Sequence, residues 1–217
     1  MEGRHTVLVV DDHPLFRKGV VQLLTMEPSI EVVGEAGNRA QALELVERHE
    51  PDLILLDLNL KAENGLDILA SLKAEDPSRR VVMLTVSDAA DDLIGAIRAG
   101  ADGYLLKDME PEHLLDRVRA ALAGETVIGE SLAARLASAL RQEAQESAGG
   151  ARRDLGLLTD REQQVLRCLA DGQSNKRIAR NLSITEGTVK VHVKNLLKKL
   201  SFRSRVEAAV WMTQQGN

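Results

Sequence analysis

Five short apolar runs alternate with five amphipathic stretches over the first 124 residues, and this alternation restricts the fold more than any other feature of the chain. The runs are TVLVV at 6–10, IEVVGEA at 30–36, LILLD at 53–57, RVVMLT at 80–85 and GYLL at 103–106. Segments this short and rich in β-branched residues read as strands, and strands apolar on both faces belong in a parallel sheet covered on both sides. Between them, 14–26, 39–49, 64–75, 89–99 and 111–123 carry apolar residues at helical spacing, as with Leu15, Gly19, Val20, Leu23 and Leu24. The expected fold is α/β, a doubly wound five-stranded parallel sheet with helices on both faces. Aromatics make up only 2% of the chain, so Leu, Val, Ile and Ala must fill its cores, which suits such layers better than a β-sandwich.

The pattern changes after residue 124. Glu130 to Glu146 is rich in Ala and Leu and is expected to be helical, and it gives way to SAGGARRD, a flexible linker with glycines at 149–150. From Leu157 the periodicity is helical nearly to the end. The expected organisation is a first domain over 1–124, a helix-containing linker over 125–156 and an all-α domain of four helices over 157–217. The net charge of −5 hides an asymmetry: residues from Leu155 onward carry +6 and the remainder −11. A basic module joined to an acidic one implies that only the C-terminal part meets a polyanion. The single cysteine, Cys168, excludes an internal disulfide and reads as a small buried residue. No apolar run reaches the ~20 residues a bilayer requires, and the start MEGRHT has no signal-peptide core, so a cytoplasmic protein without a membrane partner is expected.

In an open parallel sheet, ligands gather beyond the carboxyl ends of the strands. Asp11 and Asp12 end the first strand, Asp57 the third and Thr85 the fourth, and Lys107 follows the fifth. Three carboxylates on two neighbouring strands repel one another unless they surround a hard divalent cation such as magnesium. An ammonium and a hydroxyl facing the same place suit an anion beside that cation. The combination describes phosphoryl transfer to a carboxylate. His5, His13, His49, His113 and His192 show no ligand-like spacing, and none is read as a metal ligand.

VVDDHP at 9–14, LILLDLN at 53–59, LTVSD at 84–88 and GADGYLLKD at 100–108 resemble the receiver domain of two-component response regulators, a CheY- or flavodoxin-like fold. The resemblance implies that Asp57 is the phosphoacceptor. It implies that Asp12, Asp57 and the backbone carbonyl of Asn59 hold Mg2+, with Asp11 assisting through water. Lys107 would contact the phosphoryl oxygens, Thr85 would move toward the phosphate, and Tyr104 would turn inward with it. Two departures stand out. Leu60-Lys61-Ala62-Glu63 replaces a Met-Pro-Gly-like loop, which leaves its course open, and Asp108 replaces a proline.

In the C-terminal part, Thr159 and Glu162 form a capping box ahead of a stripe of Val165, Leu166 and Leu169. Then come SNKRIARNL, the turn Ser183-Ile184-Thr185 and EGTVKVHVKNLLKKL, the form of a helix-turn-helix. At about 100° per residue, Val189, Val193, Leu196, Leu197 and Leu200 fall on one side of the second helix. Lys190, Val191, Lys194, Asn195 and Lys198 fall opposite, as a major-groove reader requires. TVKVHVKNLLKKL followed by SRVEAAVW is similar to the LuxR-type helix-turn-helix of the NarL/FixJ group, and especially to its nitrate/nitrite regulators. The resemblance implies a DNA-binding transcriptional regulator, not an enzyme, phosphorylated by a sensor histidine kinase and binding double-stranded DNA as a homodimer. Val206, Ala209 and Val210 on the last helix would supply a dimer contact, while Trp211 serves either that contact or the core. Two alternatives stand beside this reading. One is a metal- or ligand-sensing transcription factor. The other is an aspartyl-phosphate phosphatase, which Asn59 argues against because a second Asp belongs there.

Overall fold

A computed structural model of the chain describes residues 4–61, 63–128 and 154–215. In chain order the first domain runs β1 (His5–Val10), α1 (Pro14–Thr25), β2 (Ile30–Ala36), α2 (Arg39–His49), β3 (Leu53–Leu56), β4 (Asn59–Leu60), β5 (Glu63–Asn64), α3 (Gly65–Glu75), β6 (Val81–Thr85), α4 (Ala90–Ala99), β7 (Gly103–Leu106), α5 (Pro111–Ala123) and β8 (Val127–Ile128). Six strands pair in the order β2-β1-β3-β6-β7-β8, all parallel, with the order of strand addition reversing at β1 as in a doubly wound sheet. Five of them are the strands expected from the apolar runs. The sixth, β8, lies where the linker was expected to begin, and two residues are too few to leave a periodic signal.

Both faces of the sheet are covered, which explains the continuous apolar runs. Val7 and Val9 pack with Val20 and Leu24 of α1 and Leu114 and Val118 of α5. Leu8 and Val10 point the other way, into a core with Ala42 and Val46 of α2, Ile68 and Leu72 of α3 and Leu93 and Ile97 of α4.

The loop whose course the sequence left open is a small antiparallel hairpin in which Asn59 pairs with Asn64 and Leu60 with Glu63. It closes with the Gly65 amide donating to the Leu58 carbonyl at 2.8 Å. A Cβ at Gly65 would stand 2.2 Å from the Asp57 carbonyl oxygen, so only glycine lets the hairpin return so close to Asp57.

After one 3₁₀ turn at Leu155–Leu157, the second domain consists of α6 (Asp160–Ala170), α7 (Asn175–Leu182), α8 (Glu186–Lys199) and α9 (Arg205–Gln215). It has its own core, which includes Val165, Leu166, Leu169, Ile178, Val189, Val193 and Leu197. Trp211 packs against this core, its ring centroid 5.5 Å from that of Phe202. The expected capping box is present, with Thr159 and Glu162 satisfying each other's backbone amides. Thr185 caps α8, accepting from the Thr188 amide at 3.1 Å. The helix expected at 130–146 and the glycine linker lie outside the described residues. Among the described residues no helix is long and apolar enough to cross a membrane.

The two domains meet at the amino ends of the sheet strands. Gly100, the C-cap of α4 at φ +104°, brings its backbone so near that a Cβ would lie 2.9 Å from the Arg203 carbonyl. The Arg203 guanidinium donates to the Arg98 carbonyl at 3.0 Å. Val206 of α9 is buried in the α2–α4 core of the first domain, and Val210 packs against it. Arg205 is buried in the junction, bonded to Asn175 at 3.2 Å and the Gln173 carbonyl at 3.0 Å. Burial and the nearby Arg80 pull its guanidinium down to about 10.

Candidate functional site: a carboxylate pocket and a covered basic helix

At the opposite end of the sheet, β1, β3, β6 and β7 deliver the residues singled out from the sequence. Asp11 and Asp57 are each 2% exposed, and Thr85 is fully buried. Lys107 Nζ lies 2.6 Å from Asp57 Oδ2 and 2.7 Å from Asp11 Oδ2, and 4.8 Å from the centre of the Phe16 ring. Backbone donors complete the setting. The Asn59 amide donates to Asp57 Oδ1 at 3.3 Å, the His13 amide to Asp11 Oδ1 at 2.8 Å, and the Lys61 amide in the hairpin to Asp12 Oδ2 at 3.0 Å. Burial pushes the Asp57 carboxyl above its ordinary value; Lys107 opposes that, and the Asp11 charge adds to it.

Asp12 Oδ1 is buried without a hydrogen-bond partner, the only such side-chain nitrogen or oxygen among the described residues. His13 Nδ1 stands 2.9 Å away, an ion-pair distance if the imidazole is protonated. A bare carboxylate oxygen beside two further carboxylates suits a hard divalent cation, so the residues fit magnesium. Asp11, Asp12, His13 and Asp57 each offer one ligand atom, and these atoms lie within 4.8 Å of one another. His13 is the member that sequence reasoning set aside. Adjacent residues normally diverge, and only the backbone turn into α1 aims its ring back at the pocket.

Thr85 and Tyr104 are linked through one loop. The Thr85 hydroxyl accepts from the Ser87 amide at 3.2 Å, and the Tyr104 hydroxyl donates to the Ser87 carbonyl at 3.0 Å. The Tyr104 ring is completely buried and points inward. Burial pushes its phenol up to about 12.

The basic face of α8 is not open. Val189, Val193, Leu196, Leu197 and Leu200 are buried as the helical wheel requires, and Lys190, Val191, Lys194, Asn195 and Lys198 are exposed on the other side. Two of these lysines reach across to the first domain. Lys190 Nζ donates to Asp52 Oδ1 at 2.8 Å and Lys194 Nζ to Asp76 Oδ2 at 3.0 Å. Burial raises both aspartates, but the bonds from these lysines, from the Thr6 amide to Asp52 and from Ser78 to Asp76 outweigh it and hold both below the usual value. These partners sit at the amino end of the sheet. Thr6 and Asp52, bonded at 3.0 Å, stand five residues before Asp11 and Asp57 on the same strands, and Arg80 and Asp102 stand five before Thr85 and Lys107.

A buried-aspartate receiver fold joined to a helix-turn-helix defines a class, and the comparisons agree. The family model described as response regulator receiver domain matches residues 7–119, and that described as bacterial regulatory proteins, luxR family, matches residues 156–212. The chain belongs to the two-component response regulators that join a receiver to a LuxR-type DNA-binding domain. It is 51% identical to the nitrate/nitrite response regulator protein NarL of Escherichia coli (strain K12) over 210 residues, 97% of this chain and 95% of that protein. It is 49% identical to NarP of the same strain over 209 residues, 96% of this chain and 94% of that protein. A solved two-component response regulator of the LuxR family from Aurantimonas sp. matches with a TM-score of 0.60 at 28% identity, covering 64% of this chain and 99% of that one.

Proposed function

We propose that this regulator holds its DNA-reading helix against its own receiver and releases it when Asp57 is phosphorylated. Asp57 attacks the phosphorus of a phosphohistidine on a sensor kinase; the P–N bond breaks, and the imidazole leaves. Lys107 then transfers its contact from the bare carboxylate to the phosphoryl oxygens. The Thr85 hydroxyl leaves the Ser87 amide for the phosphoryl group, and Tyr104, tied to the Ser87 carbonyl, keeps the loop in register. Asp12, Asp57 and the Asn59 carbonyl would hold magnesium, with Asp11 assisting through water, and the ion would supply neutralising charge for those oxygens.

The observation that carries this reading is the Lys107 ammonium bridging Asp57 and Asp11 beside the unsatisfied Asp12 oxygen. The ion pairs of Lys190 and Lys194 support the masking, since groups paired with Asp52 and Asp76 are not available to phosphates. Once released, Lys190, Val191, Lys194, Asn195 and Lys198 face the major groove. Val206 and Val210, freed from the receiver, become together with Ala209 a contact between two copies on paired half-sites. Similarity to NarL and NarP supports a nitrate/nitrite stimulus, and the LuxR-type DNA-binding domain supports a cytoplasmic setting, where the DNA is. The test is labelling by acetyl phosphate with magnesium: the wild type takes up about one phosphoryl group per chain, and Asp57→Ala takes up none. Undiminished labelling of the variant would refute the assignment.

A further inference from the structure

We propose that His13 is a direct nitrogen ligand of the metal in this pocket and biases it toward Mn2+ and neighbouring first-row ions over Mg2+. This rests on the metal reading above and adds to it a ligand that reading does not contain. His13 Nδ1 lies 2.9 Å from Asp12 Oδ1, 3.4 Å from Asp11 Oδ1 and 4.0 Å from Asp57 Oδ2. Around an octahedral ion with bonds of about 2.1 Å, adjacent ligands stand about 3 Å apart and opposite ones about 4.2 Å. The distances to Asp12 and Asp57, the direct carboxylate ligands of that reading, match adjacent and opposite positions, so one ion could meet the imidazole and both carboxylates with little adjustment.

The backbone explains why the ring is there. His13 precedes Pro14, which restricts it to extended conformations, and it adopts φ −89°, ψ 101° as the N-cap of α1. Its side chain makes no capping bond, so the imidazole has no competing task in the helix. Asp12, whose side chain is 6% exposed, has one oxygen held by the Lys61 amide and the other aimed without a hydrogen bond toward the same space. Mg2+ prefers oxygen alone, whereas a first-row transition ion such as Mn2+ accepts an imidazole nitrogen beside its carboxylates, and the ions after it in the series accept one more strongly. A pocket of carboxylates plus one imidazole therefore separates the two metals by chemistry rather than by size.

The test uses the untagged full-length chain with Mn2+ alone, read by pulsed electron paramagnetic resonance. The wild type should show hyperfine coupling to a directly bound ¹⁴N, and both His13→Ala and His13→Gln should lose it. In calorimetric titrations the same variants should weaken Mn2+ binding about tenfold while changing Mg2+ binding by less than about twofold. A wild-type spectrum without nitrogen coupling, or equal losses for both ions, would overturn the proposal and leave His13 as an ion-pair partner of Asp12. Asp12→Asn separates the two levels. If it retains full affinity for both ions, the metal reading itself fails; if it loses both while nitrogen coupling is absent from the wild type, only the role of His13 fails.

Discussion

Gly65 shows how tightly the pocket is built at the scale of single residues. Its Cα lies where the chain folds back on the Asp57 peptide, and a methyl group there would overlap that carbonyl oxygen at 2.2 Å. Gly65→Ala must displace backbone rather than a flexible side chain, so we expect a loss of about 2 kcal/mol in denaturant unfolding. Slower labelling by acetyl phosphate should accompany it, because the displaced group carries the phosphoacceptor; an unchanged midpoint and rate would contradict this account. The acids, Thr85 and Lys107 were legible in the sequence because each ends or follows an apolar run, and strand ends in a parallel sheet converge. His13 was not, because proximity in sequence says nothing about where a ring points. The cross-domain pairs were not either, since Lys190 and Asp52 are 138 residues apart and Lys194 and Asp76 are 118 apart.

Single elements were easiest to read where hydrophobic period and caps agree. The helix α6 begins at the Thr159–Glu162 box, and Glu162 also accepts from Lys199 at 2.7 Å at the far end of α8. One N-terminal cap therefore joins the first and third helices of the DNA-binding domain. Thr159→Ala should cost about 1 kcal/mol, measured by thermal unfolding of that domain's Trp211 signal in the full chain, and no shift would argue that the cap is idle. The elements that escaped detection are the shortest. The β4–β5 hairpin and β8 each involve two-residue strands, and such pieces are defined by what they pair with rather than by any pattern of their own.

For the whole molecule, the question is how firmly the two domains hold each other. The pairs of Lys190 and Lys194 are partly exposed, and such pairs contribute on the order of 0.5 kcal/mol each. Asp52→Asn with Asp76→Asn should therefore raise DNA affinity without phosphodonor by about fivefold, measured by fluorescence anisotropy on a duplex the phosphorylated wild type binds. No gain would remove these pairs from the gate. Both aspartates titrate below their ordinary value of 3.8 in the closed form. Their contribution to closure is therefore complete above that value and is lost as pH falls through the lower one. The radius of gyration should thus stay constant from about pH 8 down to about pH 5 and rise only in stronger acid; expansion near neutrality would show that other groups govern closure. The β3 strand has Asp57 just past one tip and Asp52, the partner of Lys190, just before the other, five residues and roughly 16 Å apart. It thus works as a rod held at both tips, by Lys107 at one and by Lys190 at the other. Adding or removing a single residue in that rod would misalign input and output together, so length variation here has to be accommodated in the loops.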